Sequence, residues 1–155
     1  MMNTENAYFE GMRKIAEGWQ DAKEEREAMK KEIIDTYGWD SEELKAWYAE
    51  DKAAKFPFSS GAMKAYRAWA ASVRNQIDTM EMQDFLFDNE VEAFVIIMRN
   101  AGIKSFVYTN RSTAVMDNII GFVSEGCKIV GPGEVVRKSR WNGEEKVTGI
   151  RFELN

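Results

Sequence analysis

The sequence predicts an α+β protein: a helical, acidic N-terminal half of about four helices, then a small β-α-β-β unit ending in an Asn-Gly hairpin. Three observations carry this. Apolar residues recur at helical spacing up to residue 101. From Gly102 the pattern changes to short β-rich runs broken by turn residues. Finally, Asn142-Gly143 lies between two runs of strand length, a strong short-range hairpin signal. The expected division is a helical region over residues 1–101 and a β-α-β-β unit over 102–155, packed on each other as one compact domain.

The first helix is the longest. Tyr8, Met12, Ile15, Trp19, Ala22, Arg26, Met29 and Ile33 alternate spacings of four and three, which keeps them on one side of a helix. Lys23, Glu24, Glu25, Glu27, Lys30 and Lys31 fill its polar side. Tyr37-Gly38 ends it, and Asp40-Ser41-Glu42-Glu43 starts a second helix with Leu44, Trp47 and Tyr48 on its apolar face. Phe56-Pro57-Phe58-Ser59-Ser60-Gly61 is a break. A third helix is expected from about Ala62 to Met80, with Met63, Tyr66, Trp69 (or Ala70), Val73, Ile77 and Met80 on one face. A fourth covers Asn89 to Ala101, with Asp88 as N-cap and Gly102 beyond its end.

In the second part, Ile103 to Tyr108 reads as a strand. Asn110-Arg111-Ser112 can cap a helix that carries Val115, Met116, Ile119, Ile120 and Val123 and is closed by Gly126. Cys127 to Val130 begins the next strand, and Gly131-Pro132-Gly133 bends or bulges it. Strand, helix and strand in succession predict a right-handed crossover with the two strands parallel. A two-residue type I′ turn at Asn142-Gly143 would set Trp141 opposite Glu144, Arg140 opposite Glu145, Ser139 opposite Lys146 and Val135 opposite Ile150. Val135, Thr148, Ile150, Phe152 and Leu154 then share the core face.

Charge is unevenly spread. Residues 1–55 carry 14 acidic and 9 basic side chains, whereas 103–155 carry 6 and 8, within a formal net charge of −5. The acidic front disfavours non-specific nucleic-acid binding there and favours a basic partner. With no histidine, Ser-His and Cys-His dyads are excluded. A lone Cys127 excludes an internal disulfide and thiolate zinc sites, and reads as a buried structural cysteine. GxGxxG, GxxxxGK[ST] and GxSxG are absent, so no phosphate loop or nucleophile elbow is expected. No apolar run of membrane-spanning length and no secretory leader are visible, and a cytoplasmic location is expected.

Two surfaces stand out as partner-binding candidates. The first is the carboxylate set Glu24, Glu25, Glu27, Glu42, Glu43, Glu50 and Asp51. The second is the hairpin end, where Arg137, Lys138, Arg140, Trp141 and Lys146 combine cations with an aromatic anchor. No catalytic residue, cofactor or metal ligand is assigned. One alternative is a small carboxylate- or Mg²⁺-dependent enzyme built on Asp84, Asp88, Glu90 and Glu92, a cluster equally suited to a helix N-terminus. Another is a nucleic-acid-binding regulator acting through the hairpin end.

Two resemblances bear on function. Gly102 to Asn110, Ala114 and Gly126 to Gly131 are similar in outline to the C-terminal end of GNAT acetyltransferases. The acetyl-CoA pyrophosphate loop of that family is absent and Cys127 stands where Phe is usual, so the activity is not carried over. The helical front, the stretch IKSFVYTNRSTAVMDNIIGFVSEGCKIVG and the terminal hairpin resemble accessory proteins of plasmids, conjugative elements and phages in Gram-positive gut bacteria. That resemblance implies a non-enzymatic inhibitor of host defence, including the anti-CRISPR class, that binds a basic nucleic-acid-handling protein.

Overall fold

The structure is a computed structural model and describes residues 5–139, 141 and 143–154. Its elements run α1 (Ala7–Tyr37), α2 (Glu42–Ala53), α3 (Ser60–Arg74), β1 (Met80–Met82), α4 (Asp88–Asn100), β2 (Ser105–Tyr108), α5 (Val115–Ser124), β3 (Lys128–Ser139) and β4 (Gly143–Glu153). This is the α+β class, with a helical first half and C-terminal strands. Contacts divide it into two units: residues 1–10 with 58–155, and residues 11–57. The boundary at residue 102 read from the sequence therefore falls inside the larger unit.

In the larger unit the sheet order is β1-β2-β4-β3. β1 and β2 are parallel neighbours, while β4 is antiparallel to both β2 and β3. β2 and β3 are therefore parallel, as the crossover through α5 requires, with β4 inserted between them. One sheet face carries Phe106, Tyr108 and Phe152, whose rings meet Phe94 of α4 and Phe122 of α5 at centroid distances of 5.1–5.6 Å. Each such aromatic contact adds about 0.5–1.5 kcal/mol beyond area burial. Trp69 of α3 stacks on Phe9 at 5.1 Å.

The opposite face is closed by the sheet itself. β3 and β4 extend well past the point where β4 leaves β2, and this arm curls back over the face. Val135 and Val147 of the arm pack with Val107 and Ile77. The curl needs glycine at Gly133 and Gly149, which face each other across the ladder. A Cβ on Gly133 would lie 2.8 Å from Val107 Cγ2, and one on Gly149 would collide with the Tyr108 carbonyl.

Several expectations are corrected. The third helix stops at Arg74, not Met80: Gln76 takes a left-handed φ of 54°, and Met80 enters β1, a strand the sequence reading missed. Its buried side is Ala62, Ala65, Ala68, Trp69 and Ser72, because α4 packs closely on the small residues. The N-cap of α4 falls at Phe87, not at Asp88, and that of α2 at Ser41 within the expected start. On α5, Asn118 and Phe122 are buried, while Met116, Ile120 and Val123 of its apolar set are exposed.

The hairpin register also differs. Gly143 pairs with Ser139, Lys138 with Glu144, Arg137 with Glu145, Val136 with Lys146 and Val135 with Val147. Gly143 thus lies in the ladder and not in a two-residue turn; Arg140 and Asn142 lie outside the described residues. An odd shift in register exchanges faces. Val135 consequently lies on the face opposite Ile150, Phe152 and Leu154. The expected irregularity at Gly131-Pro132-Gly133 is present as a register break between Ile129 and Gly131.

Alanine at position 149 should cost roughly 1–3 kcal/mol in urea unfolding, since the clash is with backbone and not with a flexible side chain. Gly18→Ala, in open space on α1, should instead add about 0.5–1 kcal/mol.

Candidate functional site

The smaller unit is a helical hairpin with little core: Met12, Leu44 and Trp47 are its buried apolar residues. α2 is capped by Ser41, whose Oγ accepts from the Leu44 N–H at 3.1 Å. The seam between the helices is aromatic and cationic. Trp47 Nε1 donates to the Arg26 carbonyl at 2.8 Å, and Arg26 Nε reaches Asp51 at 3.3 Å. Lys30 lies 5.2 Å over the Trp47 ring and 5.1 Å over that of Tyr48, and Lys23 lies 5.5 Å over Trp19. Arg26, which interrupts the apolar stripe in the sequence, thus belongs to the packing.

Of the seven carboxylates, Glu24, Glu25, Glu27, Glu42, Glu43 and Glu50 are exposed. Asp51 is partly buried and engaged with Arg26. Glu24 and Glu27, three apart, share one side of α1, while Glu25 points about 100° away. Glu42 is paired to Lys45 at 3.2 Å.

The corner between α1 and α2 holds residues that sequence reasoning passed over. Trp39 is 71% exposed and Tyr37 58%, on either side of Gly38. Glu32, Asp35, Asp40, Glu42 and Glu43, all exposed, surround them in the chain. The available signal was position: aromatics flanking a helix-ending glycine have no continuing helix face to bury them.

The basic hairpin is not one patch. Arg137 turns inward and donates to Glu81 from Nε at 2.8 Å and from a terminal nitrogen at 2.5 Å. Lys138 and Lys146 share the other face, and Lys138 bonds Gln76 at 3.1 Å. Trp141 is 90% exposed, and Arg140 lies outside the described residues.

Two buried carboxylates in the larger unit are already saturated. Glu81, 2% exposed, also accepts from Thr109 Oγ1 at 2.5 Å and from Gln83 at 3.2 Å. Glu90, 3% exposed, accepts from Lys64 and from the Phe87 N–H, each at 2.8 Å. Burial acts to raise the Glu90 carboxyl. Hydrogen bonds from Lys64, the Phe87 backbone and Ser60, with the Lys64 charge, outweigh it and hold the pKa below 4.5. A cleft of about 480 Å³ between α3 and β1 is lined by Lys64, Arg67, Arg74, Glu81, Gln83 and Asp84, so both signs of charge meet there. Among the described residues no three carboxylate or thiol groups converge to hold a metal ion. Burial pushes the Cys127 thiol up, which favours its unreactive form. Among these residues, too, no helix is long and apolar enough to cross a membrane.

The larger unit is thus an α+β domain with a curled mixed sheet and two buried ion pairs. The chain belongs to the family described as domain of unknown function DUF7698, whose model matches residues 64–154, from α3 to the end of β4. No curated protein and no solved structure matches the chain.

Arg137→Ala strands Glu81 and should destabilise by about 3–5 kcal/mol, while Lys146→Ala should stay within about 0.5 kcal/mol. The depressed Glu90 pKa gives stability that is present above the unfolded value and lost as pH falls through the folded one. Glu90→Gln should therefore flatten the part of the acid limb below about pH 4.5, read from urea midpoints across pH.

Proposed function

We propose that this chain is a non-enzymatic interaction protein that docks the acidic α1–α2 corner onto a basic protein surface. The observation that carries this reading is Trp39, 71% exposed beside Tyr37 and surrounded in the chain by carboxylates. Exposed tryptophan and tyrosine are favoured interface anchors, and a charged rim steers the partner and fixes register. Glu24, Glu25, Glu27 and Glu50 extend the negative surface along the two helices. Proteins with a matching basic surface include those that handle nucleic acid. Combined with the resemblance to accessory proteins of mobile elements, this gives the finer reading: a cytoplasmic anti-defence inhibitor, of the anti-CRISPR type, that occupies a nucleic-acid groove.

A second reading rests on the hairpin. Trp141 is exposed near Lys138 and Lys146, which share a face, an arrangement suited to stacking a base and contacting phosphate.

The test is capture from the source cell on the immobilised chain, with bound proteins identified by mass spectrometry. Wild type should retain a basic protein whose affinity falls at least about tenfold between about 50 and 200 mM salt. Trp39→Ala combined with Tyr37→Ala should lose it with unfolding midpoints almost unchanged. Retention of the same partner by the double variant, or insensitivity to salt, overturns the corner as the site. Loss on Trp141→Ala, with single-stranded nucleic acid as the ligand, would favour the second reading.

A further inference from the structure

Helix α5 is built with polarity reversed. Its buried residues are Asn118 and Phe122, while Met116, Ile120 and Val123 are 64%, 57% and 49% exposed. The buried Asn118 has a structural reason: its amide donates to the Leu86 carbonyl at 2.6 Å and accepts from the Leu86 N–H at 2.8 Å. The exposed residues have no such account within the chain.

Their direction follows from helix geometry. At 100° per residue, with Phe122 facing the sheet, Gly121 points to α4, where an added Cβ would lie 3.1 Å from Val91 Cγ1. Val123, Met116 and Ile120 fall on the opposite flank, toward β3, the last strand of the sheet. Ile129 of β3 pairs with Phe152, so its side chain lies on the same sheet face as α5, and it is 53% exposed. Val130, in the register break beside it, is 52% exposed. Together these side chains form an apolar ledge where a wider sheet would have its next strand.

Addition of a strand is opposed there. Pro132 has no N–H to donate, and the register break between Ile129 and Gly131 disrupts the edge. Side-chain packing is not opposed. We propose that the ledge is the interface of a homodimer, with the two α5 helices facing each other across a two-fold axis near Ile120.

Area and charge both fit a second copy. Five half-exposed aliphatic side chains offer roughly 450 Å² of apolar surface per protomer. A standard interface buries about 800 Å² per partner, somewhat over half of it apolar, so the ledge supplies about that apolar share. The charged side chain within α5 is Asp117, near its N-terminal end, and Lys128 stands just beyond its C-terminal end. By the same spacing Asp117, like Glu125, lies about 40° from Gly121 on the α4 flank, and Lys128, one residue before Ile129, has its side chain on the other sheet face, so no charge on the ledge opposes a second copy.

Sedimentation equilibrium of the full chain tests this. Wild type should show a concentration-dependent species of twice the chain mass, and Ile120→Glu should raise its Kd at least about tenfold without moving the unfolding midpoint. Should that variant fail to fold, Met116→Lys carries the same expectation at a more exposed position. A chain of single mass at about 1 mM overturns the proposal, as does a dimer indifferent to both apolar substitutions. Trp39→Ala should leave the dimer intact, so this outcome is separate from that at the acidic corner.

Discussion

The larger unit depends on one buried charge and its partner. Glu81 sits on β1 and Arg137 on β3, the two outer strands of a four-stranded sheet. In a flat sheet, three spacings of about 4.8 Å would hold those strands roughly 14 Å apart. They meet because the β3–β4 arm curls back, and the curl makes burial of Glu81 tolerable. An unpaired carboxylate at 2% exposure would be strongly unfavourable, so the pair and the curvature require each other. Gly133 and Gly149 permit the bend, Val135 and Val147 supply its apolar contact, and Thr109 fills the remaining acceptor capacity of the carboxylate.

The same pair explains how a three-residue strand persists. β1 alone offers few ladder bonds, yet its residues are all buried. Ser72 of α3 accepts from the Glu81 N–H at 3.0 Å and donates to the Ala68 carbonyl at 2.8 Å, so the outward-facing backbone of β1 is closed by a helix. The Glu81 side chain holds the far end of the sheet while its backbone is held by α3. A residue in this position couples the helix layer to the hairpin arm without belonging to the aromatic core on the other face.

These dependencies mark where the sequence was legible. Helix spacing identified α1, α2 and α4, and Gly126 and Gly131-Pro132-Gly133 placed the end of α5 and the irregularity in β3. What escaped was set by tertiary partners. Met80 to Met82 continue the apolar spacing of α3, and only pairing with β2 distinguishes them as a strand. The Asn-Gly rule was overridden because the register is set by the curl, where Gly133 must face Gly149. Arg137 read as a surface cation since its partner lies 56 positions away. The candidate carboxylates on α1 and α2 were readable as exposed because a polar helix face needs no partner, whereas Trp39 and Tyr37 became visible only once the corner left them uncovered.

The two units solve opposite problems. The larger one hides charge, with Glu81 and Glu90 each matched to a cation, and leaves aliphatic side chains of α5 outside. The smaller one uses cations inside its seam, over Trp19, Trp47 and Tyr48, and leaves aromatic rings at its corner. In both, a polar group occupies a place that an apolar one could fill, and large apolar groups stand in solvent. A chain selected for stability alone has no reason to make that exchange, because moving Ile120 inward or Trp39 under a helix would add buried area. The exposed groups are of two kinds: aliphatic with little charge nearby on α5, aromatic with carboxylates at the α1–α2 corner. Surfaces so unlike in chemistry suit different occupants, an uncharged self-complementary face in one case and a cationic protein in the other.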